Sequence, residues 1–196
     1  MLKLFRYALP LMLIASVASA EVHEETENYR GNLLKYPVVS LNDKGLAKKI
    51  NQEVVKLANT LKKDHSSNKG YADKISMSYK VLLENDQRLN LLVYSWTCNN
   101  GAAHGMYSAS GLSYDLKTGE KATVAKYAPN LTATLLDEGV RLGRYSFAAI
   151  DGEPLKLDNF WKVETVSKEC YLSEDGSLTL IYQPYDLAPY AYGNTY

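Results

Sequence analysis

The chain has 196 residues, with 22 Lys+Arg against 22 Asp+Glu, and 46% of it is hydrophobic. That length supports one packed domain or two small lobes, and the even charge lacks the basic excess of a nucleic-acid binder. The oddity is tyrosine, 16 residues against 3 phenylalanines. Each tyrosine couples a large apolar body to a polar tip, which suits half-buried sheet faces and binding surfaces alike.

Lys3 and Arg6 precede an apolar run from Ala8 to Val17 that ends at Ala18-Ser19-Ala20. Residues 1–20 read as a signal peptide, cut after Ala20, with an apolar run too short to span a bilayer. No cysteine stands at the cut and no later apolar stretch is long enough to cross a membrane, so the expected product is periplasmic or secreted, without a transmembrane anchor. Without Lys3 and Arg6, 20 basic residues face 22 acidic ones, a formal charge of −2. Cys98 and Cys170 are the only two cysteines. In an oxidising compartment they are expected to form a disulfide, closing a long loop for roughly 4 kcal/mol on the chain-entropy model.

Residues 21–28, EVHEETEN, are polar and acidic without an apolar period, and read as a flexible lead-in. Tyr29 to Val39 reads as a strand in which Pro37 argues for an edge position or a bulge. Asn42 is placed to cap a helix whose Leu46, Ile50, Val54, Leu57 and Leu61 recur with a 3.6-residue period, leaving Lys44, Lys48, Lys56 and Lys63 outside. The DHSSNKG stretch from Asp64 to Gly70 ends it as a loop. From Lys74 the period changes to two, with Ile75, Met77, Tyr79, Val81 and Leu83 on one face. Glu84-Asn85-Asp86 turns the chain and Leu89 to Cys98 returns, so residues 74–98 form a hairpin. A glycine-rich connection, Asn99 to Gly105, leads to a third strand from Met106 to Leu116 and a turn at Gly119.

A second helix is expected between about Leu131 and Ala148, on a stripe of Leu136, Val140, Gly143 and Phe147, although Gly139 and Gly143 weaken it. Leu155 to Val163 reads as a loop or helical turn. Val166 to Leu172 and Leu178 to Tyr182 form a second hairpin, and Pro184 and Pro189 keep the ending irregular. Hairpins with two interspersed helices indicate an α+β domain, an antiparallel β-sheet packed against two helices. The segments divide near residue 100 into an N-terminal α+β lobe, 29–100, and a C-terminal α+β lobe, 101–196.

Gly101-Ala102-Ala103-His104-Gly105, followed by Tyr114-Asp115-Leu116-Lys117-Thr118-Gly119, resembles the histidine loop and turn of an exported family known as domain of unknown function 3298 (DUF3298). Asp175-Gly176 with Tyr182-Gln183-Pro184-Tyr185-Asp186-Leu187-Ala188-Pro189-Tyr190-Ala191 is similar to that family's closing motif. Tyr36-Pro37-Val38-Val39 with Leu46 and Ile50-Asn51 looks like the small domain that commonly precedes it. The second loop glycine of the family is Ala102 here, and family members often continue beyond the position of Tyr196. The family's domains occur in the lysozyme-binding extracytoplasmic half of an anti-sigma factor and beside the catalytic domain of a peptidoglycan deacetylase. The resemblance therefore implies a bacterial cell-envelope protein with a cell-wall glycan or a lysozyme-like protein as possible partner. It implies no established reaction and no cofactor.

His104 is the candidate for chemistry, since flanking glycines let a partner approach and imidazole titrates near neutral pH. The plainer reading is a histidine that fixes its turn, because no carboxylate or serine stands in a recognisable motif with it. A zinc site of Cys98, His104 and Cys170 is disfavoured, since His23 and His65 fall in segments read as mobile. Asp137 with Glu138, and Glu174 with Asp175, read as helix-surface and turn residues rather than as the acid pair of a glycosidase. Trp96, Tyr182, Tyr185, Tyr190 and Tyr192, with Trp161, form a candidate aromatic platform for stacking on sugar rings or a protein partner, and buried packing accounts equally well for most of them. A binding module using His104 and the tyrosine-rich end is the first reading. An envelope hydrolase acting on an amide or ester of a wall polymer, with His104 as general base, and a purely structural accessory domain are the alternatives.

Overall fold

A computed structural model describes residues 20–67, 74–149, 153–156 and 160–196; the expected signal peptide, apart from Ala20, lies outside the described residues. The chain opens with two antiparallel strands, β1 (Glu21–Tyr29) and β2 (Asn32–Ser40), joined through Arg30 and Gly31 in the left-handed region at φ 52° and 82°. A lead-in was expected where β1 stands. The strand pairs along its whole length with β2, Val22 and Tyr29 pack against the core, Glu24 pairs with Lys35 at 3.0 Å and Glu27 with Lys62 at 2.5 Å. Charge on an outermost strand also discourages edge-to-edge pairing. Because β1 lies outside β2, Pro37 is not on an edge strand. Near Pro37 the Asn51 side-chain amide binds both the N–H and the C=O of Val39, at 2.8 and 2.9 Å, and so does the work of a neighbouring strand.

Helix α1 (Lys44–Ser67) crosses from β2 to β3 (Lys74–Glu84). Asp43, not Asn42, caps it, accepting from the Leu46 N–H at 2.9 Å. The helix also runs through Asp64 to Ser67, beyond the expected stop. Leu46, Ile50, Val54 and Leu61 are buried beneath it, and its four outward lysines are exposed as the period requires. β3 pairs antiparallel with β4 (Arg88–Cys98), and β4 with β5 (Met106–Asp115). The sheet order is β1-β2-β3-β4-β5, antiparallel except for the β2–β3 pair, where Leu34 meets Met77 in parallel. The divide read near residue 100 falls in the β4–β5 loop, so both sides of it share this sheet.

Period two sends alternate residues of β4 and β5 to opposite faces. Leu89, Leu91, Val93, Leu112 and Tyr114 face α1 and build the first core. On the other face, the cross-strand pairs Asn90–Ser113, Leu92–Gly111, Tyr94–Ala109 and Trp96–Tyr107 run from polar through apolar to aromatic. A second layer lies on this face. It contains the short helices α2 (Val124–Tyr127) and α3 (Ala133–Arg141), the hairpin of β6 (Cys170–Leu172) and β7 (Leu178–Leu180), and the tail to Tyr196. The buried Asn90 donates to the Leu172 carbonyl at 2.6 Å, and Ser113 accepts from the Leu172 N–H at 3.0 Å, so two side chains satisfy the free edge of β6. The architecture is α+β, a largely antiparallel five-stranded sheet between α1 and a mixed second layer.

The helix expected over 131–148 is reduced to α3. Thr132 caps its start, accepting from the Leu135 N–H at 3.2 Å, and Gly143 at φ 66° follows its end. The second hairpin keeps only three paired residues in each strand, and beyond β7 Tyr182 exchanges its backbone bonds with Thr195 of the tail instead.

The expected disulfide is absent: Cys98 and Cys170 are free thiols. Cys170 lies over Gly111, whose β4 neighbour is Leu92, whereas Cys98 stands six residues farther along β4. At the rise of an extended strand that is roughly 20 Å, against the ~7 Å limit for a disulfide. Burial raises the Cys170 thiol pKa and Cys98 is only half-buried. Iodoacetamide under native conditions is therefore expected to label one thiol per chain, with the second labelled only after denaturation; mass spectrometry reads the difference.

Glu53 on α1 holds Lys121 at 2.7 Å, which ties the helix to the chain leaving β5. Burial is the largest single influence on Glu53 and opposes its ionisation, but the hydrogen bond of Lys121, the neighbouring Tyr114 hydroxyl and the charges of Lys121 and Lys49 together hold its pKa below the ordinary 4.5. A depressed carboxylate contributes stability in full above the unfolded pKa and loses it as pH falls through the folded value. Glu53→Gln is expected to unfold at lower denaturant concentration than wild type at pH 7. The gap should close as pH drops below 4.5.

Candidate functional site

The aromatic end of the back face begins with the loop between β4 and β5. Its positive φ, 83°, falls on Gly101, and Ala102 donates its N–H to the Asn99 carbonyl at 3.0 Å, so alanine at 102 carries no left-handed strain. His104 is exposed, and Gly105 beside it is buried against Trp96. A side chain at 105 would meet the indole Nε1 at 2.2 Å, so glycine is needed for the loop to lie flat on the tryptophan.

The tail folds back onto this loop. Tyr190 donates its hydroxyl to the Gly105 carbonyl at 2.5 Å and stacks on the His104 ring with centroids 4.0 Å apart and planes 25° apart. Tyr107 continues the layer 6.2 Å from Tyr190, and Tyr185 adjoins it at 5.6 Å. His104 Nδ1 lies 2.9 Å from the same Gly105 carbonyl, which only accepts, so Nδ1 carries the proton. Nε2 is then the acceptor, and Tyr185 donates to it at 3.3 Å. Tyr185 sits in a tight turn: Asp186 N–H donates to the Gln183 carbonyl at 3.0 Å, Pro184 takes the second position, and Tyr185 the third at φ 74°. That position normally requires glycine or asparagine. A tyrosine held there is strained, of order 1–3 kcal/mol, and such strain concentrates at functional sites.

Trp161 approaches from the other side, its N–H donating to the Leu187 carbonyl at 2.7 Å. Between Trp161 and Tyr185 lies an open cleft of about 450 Å³, lined also by Lys162, Glu164, Thr165 and Asp186. Both rings are a little under half exposed, 43% and 46%. The arrangement is a shelf of stacked rings beside a polar cleft with an aromatic wall on each side.

Among the residues singled out from sequence, Trp96, His104, Tyr185 and Tyr190 come together here. Tyr182 does not belong on the surface: it is 5% exposed, donates to the Thr165 carbonyl at 3.0 Å and accepts from the Ser167 N–H at 3.3 Å. Tyr192 packs half-buried against the second core. Tyr107 was not anticipated; its position opposite Trp96 would have singled it out, but that register is set by the fold. His23 lies in β1 and His65 in α1, where its ring meets Tyr29 edge-on, so neither is on a loose segment. Among the described residues no three His, Cys, Asp or Glu side chains cluster as a metal site. Asp137 is held by Arg141 at 2.8 Å and by the Val163 N–H at 3.0 Å, and Asp175 accepts from Ser177, so the acid pairs serve structure.

No family model matches the chain, and no curated protein matches it. Solved structures do. A DUF3298 family protein from Pseudomonas aeruginosa PAO1 superimposes with a TM-score of 0.59 at 15% identity, over 90% of this chain and 88% of that one. A member of the same family from Bacteroides fragilis NCTC 9343 gives 0.53 at 14% identity, with the same coverages, 90% and 88%. The chain has the fold of DUF3298 proteins. At this identity the likeness concerns architecture, and it agrees with the resemblance carried by the histidine loop and the tyrosine-rich ending.

Proposed function

We propose that this protein is an exported, non-catalytic binding module of the bacterial cell envelope, and that it recognises a peptidoglycan-type glycan on the shelf of His104, Tyr107, Tyr185 and Tyr190. The observation that carries the reading is Tyr185, held exposed at a strained positive φ beside a histidine that is itself fixed by Gly105 and Tyr190. Sugar rings present C–H faces that stack on aromatic rings and hydroxyls that need polar partners, and the cleft beside the shelf offers Lys162, Glu164 and Asp186. The rings are already ordered by contacts with one another, so little entropy is lost when a ligand lands. Hydrolysis is the weaker reading, because the two ring nitrogens of His104 face a carbonyl and a phenol, with no carboxylate to orient a general base.

Calorimetry of purified residues 21–196 with peptidoglycan fragments, and separately with lysozyme, tests the proposal, with chromatography following the fragments over time. Saturable glycan binding with intact fragments supports it. Binding to lysozyme alone would make the shelf a protein-docking surface, and steady consumption of fragments would move the search to catalysis at His104.

A further inference from the structure

A second cavity lies between α3 and the β6–β7 hairpin, sharing Tyr182 and Leu187 with the polar cleft beside the shelf. Its volume is about 450 Å³, and its wall includes Leu136, Val140, Phe147, Phe160 and Leu180. Several polar groups on this wall already have hydrogen-bond partners. Ser173 and Thr179 share a hydrogen bond of 2.8 Å, Ser177 donates to Asp175 at 2.7 Å, and Tyr182 is bound to Thr165. Arg144 is the charged group on this wall, and none of the ion pairs of the described residues engages it.

The cavity continues outward. A shallower hollow of about 370 Å³ shares Ala128, Leu131, Arg144 and Tyr145 with it, so Arg144 and Tyr145 stand at the junction of the two. Tyr145 lies flat on α3 because Gly139 has no side chain; a Cβ there would be 2.1 Å from the ring. On the outer hollow Leu135 and Tyr145 are 52% and 47% exposed, an apolar rim to the opening. Glu138 is the acidic group on the outer hollow. An apolar chamber with an apolar rim and one unengaged guanidinium at its junction matches a molecule with a slender hydrocarbon tail and a single anionic head.

We propose that this cavity binds a single-chain anionic amphiphile, a fatty-acyl carboxylate, with its tail between α3 and β6–β7 and its head on Arg144. The tail removes apolar wall from water, and the carboxylate gives the guanidinium the partner that no ion pair of the described residues supplies. None of the shelf rings His104, Tyr107, Tyr185 and Tyr190 lines this cavity.

The test uses the purified protein with dodecanoate and the uncharged dodecanol, each below its aggregation threshold, followed by calorimetry and native mass spectrometry. One-to-one saturable binding of dodecanoate is expected. Arg144→Gln, an exposed change that leaves the core untouched, should weaken dodecanoate about tenfold and leave dodecanol unchanged. Leu136→Phe, which narrows the chamber, should weaken both; Leu178→Phe from the opposite wall replaces it if that variant fails to fold. Absence of saturable binding overturns the proposal, as does binding that ignores both the arginine and the cavity variants. Binding lost in Tyr190→Ala would assign the amphiphile to the shelf and overturn it equally.

Discussion

Gly111→Ala is expected to destabilise the protein by about 3 kcal/mol, near the upper end for an overpacked core position. A Cβ at 111 would stand 2.0 Å from the Cys170 carbonyl oxygen and 2.6 Å from its carbon, and these are backbone atoms that cannot swing aside. β6 would have to lift from the sheet, straining the bonds from Asn90 and Ser113 that hold Leu172. Because Gln183, bonded to Ala109 at 2.9 and 3.0 Å, leads directly into the turn carrying Tyr185, the disturbance should reach the shelf as well. Urea unfolding followed by fluorescence measures the loss, with Ser110→Ala on the α1 face of the same strand as the comparison. An unchanged midpoint would mean that the close approach of β6 to Gly111 is absent in solution.

Tyr190→Ala is expected to reduce glycan affinity about thirtyfold, ~2 kcal/mol, while the protein stays folded. Tyr190 is the ring that the others share: it stacks on His104, adjoins Tyr107 and Tyr185, and pins the loop through Gly105. Removing it takes away both a stacking surface and the contact that orders its neighbours. Tyr190→Phe keeps the surface and loses only the bond to the Gly105 carbonyl, so a loss of a few-fold is expected from it. Calorimetry with the same peptidoglycan fragments, with circular dichroism as the folding check, separates the two. Wild-type affinity in Tyr190→Ala would place the ligand elsewhere.

Much of the fold was legible in the residues. The 3.6-residue period of Leu46, Ile50, Val54 and Leu61 is a property of the segment alone, and α1 follows it. The alternation from Lys74 to Cys98 likewise gave the β3–β4 hairpin. β1 was missed because EVHEETEN carries no apolar period to demand a strand; its order comes from nine residues of pairing with β2 and from ion pairs to Lys35 and Lys62, all of which depend on other elements. α3 came out shorter than its stripe suggested because Gly143 takes a positive φ after its last turn. For the site, the glycine-flanked His104 and the proline-spaced tyrosines marked the right two segments. Which tyrosines reach solvent was not legible. Tyr182 and Tyr185 are three residues apart in one motif, yet the first fills the core and the second is exposed in a strained turn.

From the sequence alone came the export signal as an expectation, the near-neutral charge, the main helix and the central hairpin. These rest on local periodicity and composition, which each segment carries with it. The packing of the back layer on β4 and β5 decided everything that depends on two distant segments meeting. It set Cys98 and Cys170 far apart, buried Tyr182, and brought Tyr190 onto His104. The physical reason is that a strand's period specifies that it has two faces, whereas what covers each face is chosen by the whole chain competing to bury apolar surface and satisfy backbone groups.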